Sequence, residues 1–559
     1  MRFETLPSAI YVASIKPPIS RALRHWLWLA YAGVVALFLL ICVPFYVRGK
    51  GFTYLERFGT NQSEHYVRQL RAINHYEEED SDGYDGQHYA QIAMRPWLSN
   101  PGLKRAVDNL AYRARRILFC WTAYGLALGD PGRALQIYAV QNIVCWLALA
   151  GLMLRWFPPV NWGNFLRWSG VLFSSGLCLS VRSALVDGPS LLMIAVGMML
   201  LETGRPWWSA LVLGVSGLGK ETNILAGAIL PLPRREAGRR DWWAAVARGA
   251  LVLLPIAAWV IVLRFWLGAS GGAGMRNFAW PLAGYFAKWE EIGRQVWAGG
   301  INSITEWNLL TMMVALTVQW LFFVLRPRWS DPWWRLGAVY SALLVMLGDA
   351  VWEGYPGAAS RVVLPMMLAF NVLVPRGRRL GWWLVLLLGN LTMIFSAVEF
   401  LKPPGREDFH LGGPRELIMI EKSGHTIEAV FNKEEWYLPE RSHFDFWRWS
   451  RGSAGLVLRN PQLFAVVADI SFDMKSNDPR LVTLFSGTRE LWNNHSERVV
   501  RDVILRGVRL DPGDTPWRFE TDRPPEFPPS DDLRKLGFSL RHLTIRVTGR
   551  AAPPPPPPK

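Results

Sequence analysis

The run from Trp26 to Val47 limits what this chain can fold into more than any other feature. It holds about 22 residues almost without charge, enough at 1.5 Å per residue to cross the hydrocarbon core of a bilayer. It is longer than the core of a cleavable signal peptide and ends in Pro44-Phe-Tyr-Val-Arg48, without a small-x-small cleavage pattern, so it reads as an uncleaved first span. Arg21 and Arg24 precede it, and the positive-inside tendency puts the N-terminus in the cytoplasm and the following loop outside.

Further apolar segments follow at 136–154, 168–185, 188–202, 206–218, 220–231, 243–266, 307–325, 335–351, 361–375 and 380–398, giving about eleven predicted spans. Every second loop is basic, as that topology requires. These loops hold Arg155 and Arg167; Arg205; Arg234, Arg235, Arg239 and Arg240; Arg326, Arg328 and Arg335; and Arg376, Arg378 and Arg379. The expected fold is therefore a polytopic α-helical membrane domain over 1–400, with a long outer loop at 48–135. Within that loop Ala111–Leu128 starts with Arg113, Arg115 and Arg116 and turns apolar, which predicts a helix at the outer interface. A full crossing there would invert the polarity of every later loop. The short segments from 188 to 231, broken at Gly217 to Glu221, predict backbone that lines a cavity.

The chain has 559 residues, is 51% hydrophobic, contains 30 Trp and carries a formal charge of +16. From 401 to 559 there are 24 Lys plus Arg against 22 Asp plus Glu, so nearly all the excess lies in the membrane half, sorted into loops. No basic stripe asks for nucleic acid. Cys42, Cys120, Cys145 and Cys178 all fall in apolar segments without metal-ligand spacing and read as small core residues. The pairs Trp207-Trp208, Trp242-Trp243, Trp333-Trp334 and Trp382-Trp383 fall at predicted cytoplasmic boundaries, as an aromatic belt requires.

After Leu401 the pattern changes to short alternating runs, including 454–459, 464–472, 481–485, 499–505 and 543–547, separated by breaks such as Asn460-Pro461 and Asp478-Pro479. These predict a C-terminal β-sandwich over 401–550, outside the cytoplasm if the span count is odd. Residues 551–559 form an extended polyproline tail to which no function is assigned.

The residues with chemistry available gather in the loops predicted to face outward. The hexad Tyr84-Asp85-Gly86-Gln87-His88-Tyr89 offers Asp85 as a general base, with Asp82, Tyr84, His88 and Tyr89 as support; its alternative reading is an Asx-type turn before a helix. Arg182, Lys220 and Arg361 sit at span ends, suited to a headgroup phosphate, with Asp187, Glu221 and Glu353 as polar neighbours. The alternative is that these six form structural ion pairs. In Phe446-Trp447-Arg448-Trp449-Ser450 two Trp around an Arg could form a stacking platform for sugar rings, or belong to the sandwich core. Acidic residues near Asp85 could ligate a divalent metal ion as a cofactor, but no fixed spacing demands one.

Together, Tyr84-Asp-Gly-Gln-His-Tyr-Ala-Gln-Ile-Ala93, Tyr112-Arg-Ala-Arg-Arg-Ile-Leu118, Leu185-Val-Asp-Gly-Pro-Ser190, Gly219-Lys-Glu-Thr-Asn223 and Trp352-Glu-Gly354 resemble bacterial GT-C superfamily membrane glycosyltransferases of the type that forms cell-surface glycopolymers. The Asp85 motif is similar to the Trp-Asp segment of GPI-anchor mannosyltransferases, with Tyr84 in place of the Trp, so donor identity does not carry over. The resemblance implies a multi-pass protein of the bacterial inner membrane with its C-terminal domain in the periplasm. It further implies a polyprenyl-phosphate-linked sugar donor, inverting transfer to a glycan or glycolipid acceptor, and Asp85 as the acid/base position. The C-terminal segments resemble β-sandwich modules appended to such transferases, which implies acceptor-glycan binding. A transporter or flippase for lipid-linked glycans is the competing reading, but it predicts matching inward-facing charged sites or a repeat between halves, and the sequence shows no such repeat.

Overall fold

The computed structural model describes residues 21–551 except 48, 79–80, 99–101, 234–237, 269–276, 300–303, 353–357, 378, 394–399, 401–426, 439, 443–444, 461, 529–531 and 533. The expectations for Glu353 and for the tail from 552 onward lie outside the described residues. The chain divides into two compact units, Met1–Gly405 and Arg406–Lys559.

Among the described residues of the first unit, four helices are long and apolar enough to cross a membrane: Arg21–Phe45, Pro131–Met153, Arg239–Leu267 and Trp307–Leu325. Their apolar surface is not all consumed by packing. Along Arg239–Leu267 the side chains of Leu253, Leu254, Ile261 and Phe265 are exposed, which suits lipid and not water. The other segments expected to span are shorter. The run 168–185 is covered by two helices, Trp162–Leu172 and Ser175–Arg182, and 361–375 is split into Ala358–Val362 and Leu364–Leu373. The segment at 220–231 is a 3₁₀-helix, Glu221–Ile229, which at about 2.0 Å per residue falls well short of the roughly 30 Å of a bilayer core. All ten residues of Leu364–Leu373 are buried. A segment apolar on every side reads the same in sequence whether lipid or other helices surround it.

Several helix starts follow directly from local sequence. Asp130, Asn161 and Asp331 each accept a hydrogen bond from a backbone N–H two or three residues on, and Pro131 and Pro332 occupy the first helical position, where no N–H is needed. Two aromatic expectations need correction. Trp333 and Trp334 do not lie in a surface belt but are buried, with their indole N–H groups donating to Glu202 (2.9 Å) and to the Phe323 carbonyl (3.1 Å). Trp207, Trp208, Trp242 and Trp243 are exposed, as a belt requires. The expected single helix over Ala111–Leu128 is three short pieces, Leu110–Arg113, Ala114–Arg116 and Leu118–Leu126. Arg113 and Arg116 are drawn inward by carboxylates, and the Trp259 indole holds the Ala114 carbonyl at 2.8 Å.

The second unit contains two antiparallel five-stranded sheets enclosing one core. Numbering strands along the chain, β1 (Phe58–Gly59) and β2 (Glu77–Glu78) form a small pair in the first unit. The second unit holds β3 (Glu428–Phe431), β4 (Glu440–Ser442), β5 (Asp445–Trp449), β6 (Ala454–Asn460), β7 (Val466–Ser476), β8 (Val482–Ser486), β9 (Arg489–Asn493), β10 (Val499–Leu510), β11 (Gly513–Thr521) and β12 (Phe538–Arg550). The sheet orders are β10-β7-β12-β5-β4 and β3-β6-β11-β8-β9. Strand β7 alternates strictly, with Val466, Ala468, Ile470, Phe472 and Met474 facing the core. On its outer face Asp473 accepts the Asp502 N–H and pairs with His542, both at 2.8 Å, and Asp469 accepts the Gly507 N–H at 2.9 Å, so the two carboxylates satisfy donors freed by bulges.

The expectation of a Trp447–Arg448–Trp449 platform needs correction. Strand alternation puts Arg448 on the opposite face from the two indoles, where it is buried over the Phe431 ring at 4.5 Å. Trp449 is only 8% exposed, and Trp447 lies against the Arg541 guanidinium at 4.6 Å. A pair of open indoles flanking a cation is not what this strand presents.

Candidate functional site

The hexad folds around Gly86 and Gln87, with Gly83 just before it. Gly83 adopts φ +74°, and a Cβ there would lie 2.5 Å from the Arg57 carbonyl oxygen. At Gly86 a Cβ would lie 2.4 Å from the Ser183 carbonyl oxygen, so the Asp85–Met94 helix can pack onto its neighbours only with glycine at this point. Gln87 staples the turn, donating to the Asp82 carbonyl at 2.7 Å and accepting from the Tyr66 hydroxyl at 3.2 Å. These contacts place Asp85 at the first helical position, where the helix dipole favours a carboxylate.

Asp85 is 30% exposed and takes a 2.8 Å ion pair from Arg113. Arg113 also makes a bidentate contact with Asp108, at 2.7 and 2.9 Å, and His88 stands 3.7 Å from the same carboxylate. Burial alone would raise the Asp85 pKa, but the attraction and hydrogen bond of Arg113, with help from Arg361, hold it well below the usual carboxylate range. Asp108 is likewise pulled down to about 2 by Arg113 against its burial. Burial lowers the pKa of His88, which favours the neutral ring.

A second knot lies deeper. Asp187 opens the helix Asp187–Glu202, and Lys220 meets it at 2.5 Å, both side chains being less than a tenth exposed. Arg361 approaches Asp187 at 3.6 Å and donates to the Tyr84 hydroxyl at 3.1 Å, joining this knot to the hexad. In a third knot Arg116 donates to Glu221 at 2.8 Å, to the Tyr89 hydroxyl at 2.9 Å and to the Tyr112 hydroxyl at 2.7 Å. Each of the three carboxylates Asp85, Asp187 and Glu221 stands in the first turn of a helix and faces a cation from another element.

Most of the residues expected at a site are thus gathered together. Asp85, Tyr84, Tyr89, His88, Asp187, Lys220, Glu221 and Arg361 share these knots. Arg182, at the end of the helix Ser175–Arg182, donates to the Tyr54 hydroxyl at 3.3 Å. Asp82 turns aside, its carboxylate accepting from Asn61 at 3.1 Å. Glu221 pairs with Arg116 instead of its neighbour Lys220. Sequence reasoning overlooked Arg113, Arg116, Asp108 and Tyr112 as site residues. The signal is in the sequence, since Arg113 and Arg116 are three apart and share a helix face, but the edge of an interfacial helix accounts for the same spacing.

Chemically, the cluster interleaves cations with carboxylates in a largely desolvated setting, open to solvent at Asp85, Asp108 and Glu221. A phosphate or other oxyanion could exchange with a carboxylate on Arg361, Arg116 or Arg113. Among the described residues no group of three or more His, Cys, Asp and Glu has the geometry to hold a metal ion. Comparison with protein-family models, curated proteins and solved structures gives no match.

Proposed function

We propose that this is a membrane glycosyltransferase that moves a sugar from a polyprenyl-phosphate-linked donor to a glycan or glycolipid acceptor at the outer face of the bacterial inner membrane. The observation that carries this reading is the junction at Tyr84: its neighbour Asp85 bears a carboxylate with solvent access, while its hydroxyl holds Arg361, which also faces the buried Asp187–Lys220 pair. Transfer from a lipid phosphate needs a base for the acceptor hydroxyl and cations for the leaving phosphate within one site. In this reading Asp85 accepts the proton, while Arg361 and Lys220, with Arg116 beside them, take the negative charge that develops as the glycosidic bond breaks. Asp85 is ionised throughout the physiological range but weakly basic, so the proton moves late, once the acceptor oxygen has begun to bond to the anomeric carbon and its hydroxyl has become acidic. Arg113 orients Asp85 and can retreat to Asp108.

The wider topology belongs to the same proposal. The short and broken helices complete a multi-pass GT-C-like bundle of about eleven passes around the four long helices. The sandwich stands on the outer side, where Trp447 and Arg541 offer a polar, aromatic edge for acceptor glycan.

The test is transfer from a synthetic polyprenyl-phosphate sugar by the purified chain in detergent, comparing wild type with Asp85→Asn. The variant should keep its unfolding midpoint within a few degrees and lose transfer. Undiminished turnover would remove Asp85 from the mechanism. Movement of labelled lipid-linked glycan across sealed vesicles, without transfer, would support the flippase reading instead.

A further inference from the structure

Between the membrane-length helices Arg239–Leu267 and Trp307–Leu325 the chain must leave and re-enter the bilayer on one face. The exposed Phe265 and Trp266 end the first helix, and the exposed Trp307 begins the second, marking the level of the headgroups. The longest described element of this connection is the helix Ala283–Gly299. One of its faces is seated on the bundle. Tyr285 bonds Thr317 at 2.6 Å, Lys288 and Glu291 form a buried pair at 2.6 Å, and Gly284 packs so closely on Trp352 that a Cβ would fall 2.4 Å from the indole. The preceding segment is clipped down as well, with the N–H of Ala279 donating to Met346 at 3.0 Å and that of Gly348 to Asn277 at 2.8 Å.

The opposite face is apolar and uncovered. Phe286 is 61% and Trp297 93% exposed, Val296 lies beside them, and Phe278 and Trp280 are exposed just ahead of the helix. At 3.6 residues per turn Phe286, Gly293, Val296 and Trp297 fall on one side, and the Glu290–Arg294 ion pair (2.7 Å) falls along one edge of it. Large aromatics bordered by a charged pair, tethered at both ends to spans with apolar exposed flanks, fit one occupant.

We propose that the helix Ala283–Gly299 lies in the headgroup layer, with Phe286, Val296 and Trp297 embedded in the lipid surface and Glu290–Arg294 among the headgroups. Such helices bury their apolar face about 5–10 Å into the boundary between headgroups and acyl chains. The inference is independent of the transferase reading. It has a consequence for the site all the same: Asn277 donates to the Tyr112 hydroxyl at 3.3 Å, so the lipid-seated strap reaches the residue that holds Arg116.

Single Phe286→Cys, Trp297→Cys and Trp280→Cys variants of the full chain, carrying an environment-sensitive fluorophore and reconstituted in phosphatidylcholine–phosphatidylglycerol vesicles, test this. All three side chains are mostly exposed, so the changes remove little packing beyond the edge contact of Phe286 with the Tyr285 ring, and the wild type controls for background labelling of native cysteines, which are buried or half-buried. An exposed site in the sandwich, Arg489→Cys, gives the aqueous reference. The labels at 286 and 297 should be quenched strongly by a spin label near the lipid headgroup and several-fold less by iodide than the label at 489. Iodide quenching equal to that at 489 overturns the proposal. Shielding from both quenchers also overturns it, because a protein surface would then cover the face.

Discussion

The two units handle charge in opposite ways. In the sandwich, ion pairs such as Arg459–Asp514 (2.8 Å) and Arg509–Asp511 (3.0 Å) join half-exposed side chains on outer faces. In the membrane unit exposed pairs such as Glu290–Arg294 also occur, but the pairs of the candidate site are sunk among apolar helices, and Lys220–Asp187 is almost wholly withdrawn from solvent. An exposed pair keeps its hydration and adds little, whereas a buried pair must offset a large desolvation cost by excellent geometry. A chain that needed only solubility would place all its charges as the sandwich does. Those in the membrane unit converge where an oxyanion could be held, and the contrast can be tested residue by residue.

The largest expected effect is on transfer itself. Asp85→Asn removes the proposed base, and a loss of about 10²–10⁴-fold in turnover is expected from general-base catalysis of this kind. Single-turnover measurement with saturating donor separates that loss from weakened binding. Next comes Lys220→Met, which leaves Asp187 buried with Arg361 alone, at 3.6 Å. Breaking a buried pair on one side costs about 3–5 kcal/mol, so the membrane unit should show a marked fall in unfolding midpoint. By contrast Arg459→Ala in the sandwich should change stability by less than about 1 kcal/mol. If the two substitutions cost the same, the contrast between the units fails.

Glu56 sharpens the comparison, since it is a buried carboxylic acid that the membrane unit leaves uncompensated. It is 0% exposed, neither of its oxygens has a hydrogen-bond partner among the described residues, and burial holds its pKa well above the usual range. The raised folded value means the penalty is absent below the ordinary value of 4.5 and grows as pH rises above it. Replacing such a group by an apolar one of similar shape relieves about 1–3 kcal/mol. Glu56→Met should therefore raise the unfolding midpoint at pH 8 and gain less, or nothing, at pH 4. Asp85 and Asp108 behave in the reverse sense. Their lowered folded values contribute stability above the ordinary carboxylate range, and it is lost as pH falls toward 2. The smallest effect is thus a flat one: between pH 5 and 8 the transfer rate should show no acid limb from Asp85. An inflection there that disappears in Asp85→Asn would count against the Arg113 pairing.

The fold was legible wherever a local pattern decides it. The apolar run after Arg24, the caps at Asp130 and Asp331, and the alternation of β7 read directly, because burial of one face or one end of an element is written in consecutive residues. The edge strands β3, β4 and β9 and the central strand β11 were less legible, being short or carrying charged residues, with too little alternation to stand out. Helix length in the membrane unit was not legible either, since an apolar segment such as Leu364–Leu373 does not record whether lipid or protein surrounds it.

By itself the sequence determined that this chain is part membrane and part β-rich domain, and that costly charges lie at apolar segment ends. Only the tertiary structure decided the partners. Asp85 takes Arg113, 28 residues away; Asp187 takes Lys220, 33 away; Tyr84 takes Arg361, 277 away. Coulomb attraction and hydrogen bonding depend on distance in space, and nothing in consecutive residues encodes which cation a carboxylate will meet once the helices have packed.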